Sequence, residues 1–68
     1  MQQDQISVPR LWTHRDTAAY LQISIAGLYG LGARGEGPRW YMVGGQRRYD
    51  PTDVRAWLSS RAAGGEAA

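Results

Sequence analysis

The sequence predicts one small, mainly α domain with a single β-hairpin, its elements following the order helix, helix, strand, strand, helix. Three observations predict it. Helix-capping residues precede three short segments with helical spacing, a Gly-Gly pair separates two strand-like segments, and the 68 residues include no cysteine. A chain this short buries only roughly 60% of the surface that its unfolded form exposes. Without disulfides or a thiolate zinc site, its stability is expected to come from packing alone.

The first two helices are predicted to be close neighbours in the chain. Thr13, followed three residues later by Asp16, is typical of a capping box, so a helix is expected to begin at His14. Ser24 is a good N-cap for a second helix, from Ile25 to about Ala33. Two short helices joined by a tight turn form a helix-turn-helix unit, in which the second helix enters the major groove.

Glycines are unusually frequent in the second helix. They occur at Gly27, Gly30 and Gly32, and each weakens a helix interior by about 1 kcal/mol relative to alanine. We therefore expect tertiary contacts to hold this helix. The run Gly30–Gly35 also matches the dinucleotide-binding glycine pattern, but that pattern requires a helix opening at its last glycine within a βαβ unit. Here the chain continues into a Gly-Pro turn, which argues against nucleotide binding.

A β-hairpin is predicted after this turn. Arg39–Val43 has the aromatic and β-branched content of a short strand, and Gly44-Gly45 tolerates the positive φ angles of a hairpin turn. Gln46–Tyr49 is expected to return as the second strand. Since two strands are not stable alone in water, we expect the hairpin to pack on the helices through Trp40, Met42 and one residue of the return strand.

The last helix has the clearest start. Asp50 is its predicted N-cap, Pro51 its first residue and Asp53 an acid in its first turn. The tryptophans are expected to be core anchors. The predicted core as a whole consists of Ala18, Leu21, Leu28, Trp40, Tyr49, Val54, Trp57 and Leu58. We predict a flexible lead-in over residues 1–10, a folded domain over 11–61 and a disordered tail over 62–68.

Catalytic and metal sites are not expected. His14 is the single histidine, and no cysteine is present to share a metal with it. Ser24, Ser59 and Ser60 have no neighbouring group that would activate a nucleophile. We therefore predict no enzyme activity, no cofactor and no small-molecule substrate. No apolar run approaches the length of about 18 residues that a membrane span needs, and the polar start is unlike a signal peptide.

The distribution of positive charge favours DNA as a partner. The net charge of +2 comes from eight arginines, with no lysine, against six acids. Four of the arginines, Arg34, Arg39, Arg47 and Arg48, fall on the hairpin and the segment before it, interrupted by one acid, Glu36. Arginine forms bidentate contacts with phosphate and guanine. Two other interpretations stay open: a solvated face with arginine stems covering apolar surface, and a base-composition bias behind the missing lysines.

Two motifs give the stretch from Leu11 to Arg61 a family resemblance. They are the first helix and its turn, Thr13–Ser24, and the sequence Gly44-Gly45-Gln46-Arg47-Arg48-Tyr49 running into a Trp-Leu helix at Trp57-Leu58. This stretch resembles the small MerR-like winged helix-turn-helix proteins of phages and actinobacteria, among them excisionases and AlpA-type regulators. The resemblance implies a winged helix-turn-helix fold, with the segment from Ser24 to Tyr29 facing the groove and Arg47 and Arg48 as wing contacts.

The predicted DNA contacts combine the resemblance with the basic residues. They are Ser24, Ile25, Ala26, Gly27, Tyr29, Arg34, Arg39, Gly45, Gln46, Arg47 and Arg48. Family members often carry polar or charged residues where this chain has Ile25, Ala26 and Gly27. Direct base reading is therefore expected to be weak, with Arg34 as a partial substitute.

The resemblance also implies a biological role. An excisionase, or recombination directionality factor, binds and bends double-stranded DNA as neighbouring copies and biases an integrase toward excision. A transcription regulator built on the same module is the main alternative, and a protein-interaction module is the third. The expected location is the cytoplasm of a bacterial host, in association with the nucleoid.

Overall fold

A computed structural model describes residues 10–65 of the chain, which form three helices and three short strands. The elements in chain order are β1 (Trp12–Thr13), α1 (His14–Leu21), α2 (Ile25–Ala33), β2 (Tyr41–Val43), β3 (Gln46–Tyr49) and α3 (Pro51–Ser60). The predicted class, a mainly α winged helix-turn-helix, is confirmed. Most of the predicted lead-in and the last three residues of the predicted tail lie outside the described residues. Arg10 and residues 62–65 are exposed and belong to no regular element.

All three predicted helix starts are confirmed. In each case a side-chain oxygen of the N-cap accepts a backbone N–H: Thr13 from Asp16, Ser24 from Gly27 and Asp50 from Thr52, each at 2.9 Å. Asp16 completes the capping box, because its Oδ2 accepts the backbone N–H of Thr13 at 3.1 Å. These bonds satisfy donors that no helical carbonyl can reach, which explains why each helix begins where it does.

The sheet has one strand more than the sequence predicts. Its strand order is β1-β3-β2, with both pairs antiparallel, and Trp12 of β1 lies opposite Tyr49 of β3. The predicted Gly-Gly turn is confirmed, with φ of 60° at Gly44 and 81° at Gly45. β2 begins at Tyr41, so it lacks the first two residues of the predicted strand, Arg39 and Trp40. The hairpin from Tyr41 to Tyr49, called the wing below, is therefore joined to the start of α1 through β1.

The core is small and lies where α1, α2, the root of the wing and the start of α3 meet. Its fully buried hydrophobic residues are Ala18, Leu28, Tyr49 and Val54, and around them pack the partly buried Trp12, Leu21, Leu31 and Trp40. Six of the eight predicted core residues thus belong to the core or its margin.

Three predictions about burial are wrong. Leu58 is 46% exposed and Trp57 only half-buried, because burial in α3 is confined to Pro51 and Val54 and its second half runs past the core. Met42, predicted to pack on the helices, is 59% exposed. It lies on β2, an edge strand of the sheet. Trp57 is held instead by a hydrogen bond from its Nε1 to the carbonyl of Glu36 at 2.9 Å.

Candidate nucleic-acid interface

The residues predicted to face the groove, at the N-cap and in the first turns of α2, are all exposed. Ser24, Ala26 and Gly27 are exposed, as are Ile25 (38%) and Tyr29 (48%), while Leu28 is buried in the core. None of the exposed side chains carries a charge, and only Ser24 and Tyr29 end in a hydrogen-bonding group. The second helix of the unit therefore presents a nearly neutral and largely apolar surface.

His14 connects three elements beneath this surface. Its Nε2 lies 3.1 Å from the carbonyl oxygen of Ile25, and its Nδ1 lies 3.1 Å from the hydroxyl of Tyr49. Since a carbonyl can only accept, Nε2 carries the hydrogen of the bond to Ile25, and the Tyr49 hydroxyl is the hydrogen-bond partner of Nδ1. The imidazole also stacks on Tyr29, with ring centroids 3.8 Å apart. One side chain of α1 thus ties the root of the wing to the first turns of α2.

Arg47 does not extend outward from the wing as a phosphate contact is expected to. Its guanidinium carbon lies 4.0 Å from the ring centroid of Trp40 and 4.9 Å from that of Tyr29. Its Nη1 atom is buried, with no hydrogen-bond partner among residues 10–65. The side chain is folded against α2.

Arg48, the next residue, belongs to the other face of the sheet, because side chains alternate along a strand. Its register partners are Thr13 on β1 and Tyr41 on β2. Its guanidinium donates from Nη1 to the carbonyl of Arg47 at 2.8 Å and from Nη2 to Oε1 of Gln46 at 3.1 Å. Gln46 and Gly45 are exposed next to it. Arg48 is thus oriented by the wing itself and remains partly accessible.

Arg34 and Arg39 have other partners. Arg34, the C-cap of α2, forms an exposed ion pair with Glu36, with 3.0 Å between Nε and Oε1. Arg39 lies over the ring of Tyr41, 5.5 Å from its centroid. The Tyr41 hydroxyl donates to Oδ2 of Asp53 on α3 at 3.1 Å, and this hydrogen bond raises the pKa of Tyr41. Each of the four arginines thus has its own set of partners.

A cleft of about 410 Å³ opens between the start of α1, α2 and the wing. Its lining residues are Thr13, His14, Arg15, Tyr29, Met42, Gly45, Gln46, Arg47 and Arg48. Arg15 was not among the predicted contacts, because it lies 26 residues before the first residue of the wing in the chain. Pairing of Thr13 with Arg48 across β1 and β3 brings it there. No local sequence signal indicates this pairing.

The family of the chain follows from its match to a family model described as a helix-turn-helix domain, over residues 13–62. The chain belongs to this family. The match runs from the N-cap of α1 to just beyond α3, so it includes both helices of the unit and the wing. Helix-turn-helix domains bind DNA through their second helix, which makes DNA the partner that the family supports. No curated protein and no solved structure matches the chain significantly.

Two further findings concern other kinds of site. Within residues 10–65, no helix is long and apolar enough to span a lipid bilayer. The same residues contain no group of three histidine or acidic side chains placed to hold a metal ion.

Proposed function

We propose that this protein binds duplex DNA as an excisionase-type recombination directionality factor. Copies bound at adjacent sites bend the DNA and so bias an integrase toward excision. The observation that supports this role is the exposed surface of α2, where Ile25, Ala26 and Gly27 offer no bidentate hydrogen bonds to base edges. A single copy would discriminate weakly between sequences, so specificity would come from DNA shape and from several copies bound together.

The proposed interface has two parts. Ser24, Ile25, Ala26, Gly27 and Tyr29 face the major groove. The residues proposed to contact phosphates or the minor groove are Arg15, Arg34, Arg39, Gly45, Gln46 and Arg48. Phosphate contacts position a protein on the duplex without reading its sequence. The exposed and partly exposed arginines among these residues are suited to that task.

Arg34 differs from the other proposed phosphate contacts, because Glu36 already neutralises part of its charge. Removing that carboxylate with Glu36→Gln would leave the backbone carbonyl that accepts from Trp57 in place. The variant is expected to bind random duplex DNA more tightly than wild type at low salt. The difference should vanish at high salt, where exposed charges are screened.

Salt titration tests the phosphate contacts. The affinity for a random-sequence duplex is measured by fluorescence anisotropy at several salt concentrations, for wild type, Arg15→Ala, Arg48→Ala and the control Arg55→Ala. Each lost phosphate contact should reduce the slope of log affinity against log salt by about 0.9. Arg55 is exposed on α3, outside the proposed interface, so its replacement should change the slope little. If Arg15→Ala and Arg48→Ala behave like Arg55→Ala, the interface is misplaced.

Binding to repeated sites tests the excisionase role. A site is first selected from random duplexes, and gel shifts then compare one, two and three direct repeats, with a circular-permutation assay for bending. We expect cooperative binding to the repeats, net bending and a monomer in sedimentation without DNA. A preformed dimer on one inverted repeat of straight DNA would instead identify a transcription regulator. If the protein bound no duplex even at low salt, the protein-interaction module would be the remaining interpretation.

A further inference from the structure

We infer that Arg47 is a positioning residue, which fixes the wing against α2 and holds the Tyr29 ring in place for the DNA groove. The role of Tyr29 in the groove rests on the proposed DNA binding, whereas the contact between the wing and α2 concerns the folded protein alone. In this assignment the Arg47 guanidinium makes its contacts within the protein, and its effect on DNA binding passes through Tyr29.

The contacts of Arg47 join the wing to α2, two elements that no backbone hydrogen bond connects. The guanidinium carbon of Arg47 lies 4.0 Å from the ring centroid of Trp40, just before the wing, and 4.9 Å from that of Tyr29 on α2. A guanidinium over an aromatic face is attracted by the ring electrons, and more strongly where water is excluded. Nη1 is excluded from water here and has no acceptor among the described residues. The aromatic faces are therefore the partners that keep the side chain in this position.

Gly32 on α2 provides the space for this guanidinium. A Cβ atom at Gly32 would lie 2.8 Å from Nη1 of Arg47, closer than such atoms normally approach, and 3.6 Å from Nε1 of Trp40. Gly32 lies in a helix, where alanine is the better helix former. The close approach of the wing is thus a physical reason for a glycine at this position. Gly30 differs, because a Cβ there would lie 3.4 Å from Nη1 of Arg34, an exposed side chain that can move aside, whereas Nη1 of Arg47 is buried.

Tyr29 connects this contact to the proposed DNA surface. Its ring is stacked on His14, which is itself hydrogen-bonded to the carbonyl of Ile25, and it also carries the Arg47 guanidinium. The side chain is nevertheless 48% exposed. Contacts with α1 and with the wing therefore restrict its rotation while leaving part of it accessible. Such preorganisation improves binding by reducing the loss of conformational freedom.

The stability test is a double-mutant cycle at Gly32 and Arg47, read by thermal melting without DNA. Gly32→Ala should lower the melting temperature of the wild type, because the new methyl group displaces the guanidinium. In an Arg47→Ala background, the same substitution should leave the melting temperature unchanged or raise it, since the space is then empty and alanine favours the helix. Gly30→Ala is the matched control on the same helix. It should not lower the melting temperature in either the wild-type or the Arg47→Ala background.

The DNA test separates positioning from charge. Arg47→Ala and Arg47→Lys should each weaken binding to a duplex by about tenfold, because neither keeps a guanidinium over the rings of Trp40 and Tyr29. Their salt slopes should stay at the wild-type value, whereas a lost phosphate contact lowers the slope by about 0.9. In a Tyr29→Ala background, Arg47→Ala should have little further effect on affinity, since the residue through which it acts is gone.

Three outcomes would overturn the inference. One is an equal effect of Gly32→Ala with and without Arg47, which would show that the two residues do not compete for space. Another is wild-type affinity for Arg47→Lys together with a reduced slope for Arg47→Ala, which would make Arg47 a phosphate contact. The third is additivity of Tyr29→Ala and Arg47→Ala in DNA affinity. A wild type that binds no duplex would refute the proposed function, and the melting cycle would still decide the contact between wing and α2.

Discussion

The two helices α2 and α3 have similar lengths but are stabilised in different ways. α3 begins with Asp50 as N-cap, Pro51 at its first position and Asp53 in its first turn, features that favour a helix locally. α2 has a serine cap, three glycines and no charged residue. Its stability therefore depends on its neighbours.

Three contacts hold α2 in place: Leu28 is buried in the core, His14 is hydrogen-bonded to the Ile25 carbonyl, and the Arg47 side chain packs against Gly32. The contact of His14 comes from α1 and that of Arg47 from the wing, so two of the three depend on residues outside α2. The helix proposed to enter the groove is thus ordered by the parts of the molecule proposed to lie beside it on DNA. A change in the wing is expected to reach α2, whereas α3 should be less sensitive.

The largest effect is expected from Leu28→Ala, which removes the buried anchor of α2. Leu28 is 1% exposed, and truncating a buried leucine costs about 2–5 kcal/mol. Because small domains are stable by only about 5–15 kcal/mol, denaturant unfolding followed by circular dichroism should show a much weakened or absent transition. Ile25→Ala, at an exposed position of the same helix, is the control. A near-wild-type midpoint for Leu28→Ala would show that α2 is independent of the core.

A smaller effect is expected from Trp57→Ala on α3. Truncating a fully buried tryptophan costs about 3–5 kcal/mol of unfolding free energy, so the partial burial of Trp57 predicts a loss at or below about 3 kcal/mol. Trp57→Phe keeps a ring beneath the Arg61 guanidinium but loses the bond to the Glu36 carbonyl, and it should fall between wild type and the alanine variant. A larger loss for Trp57→Ala than for Leu28→Ala would reverse the ranking of the two helices.

Matched cap deletions compare the helices directly. Ser24→Ala and Asp50→Ala each remove one N-cap hydrogen bond, at a cost of about 1 kcal/mol. Because α2 has the weaker intrinsic preference, its first turn should fray more after the loss. Native-state hydrogen exchange should then show a greater loss of protection at the Gly27 amide in Ser24→Ala than at the Thr52 amide in Asp50→Ala. Equal losses would contradict a difference in local stability.

The smallest effect is expected from Tyr41→Phe, which removes the hydrogen bond from the wing to Asp53 at the start of α3. This bond raises the pKa of Tyr41, so its contribution is present below the ordinary tyrosine pKa of about 10 and is lost as pH rises through the elevated value. Melting temperatures should therefore differ slightly between wild type and Tyr41→Phe at neutral pH and converge in strong alkali. A difference that grows with pH would have the wrong sign.

The sequence predicts best what depends on neighbours in the chain. The helix starts at His14, Ile25 and Pro51 follow from caps one residue earlier, and the Gly44-Gly45 turn follows from the φ angles it requires. Each of these signals acts within about four residues. Central core positions such as Leu28 and Val54 were also predictable, because helical spacing indicates which positions share a face.

The site was predictable only in its outline. The sequence by itself indicated which helix is proposed to face DNA, that most of its outward residues are apolar, and that Arg47 and Arg48 lie on the wing. Tertiary structure alone decided the pairing of β1 with β3, the presence of Arg15 in the cleft and the exposure of Leu58 and Met42. It also decided that Arg47 and Arg48, adjacent in the chain, have separate surroundings. The physical reason is that side-chain direction and burial depend on what packs against a residue, and in so small a fold those partners come from distant parts of the chain.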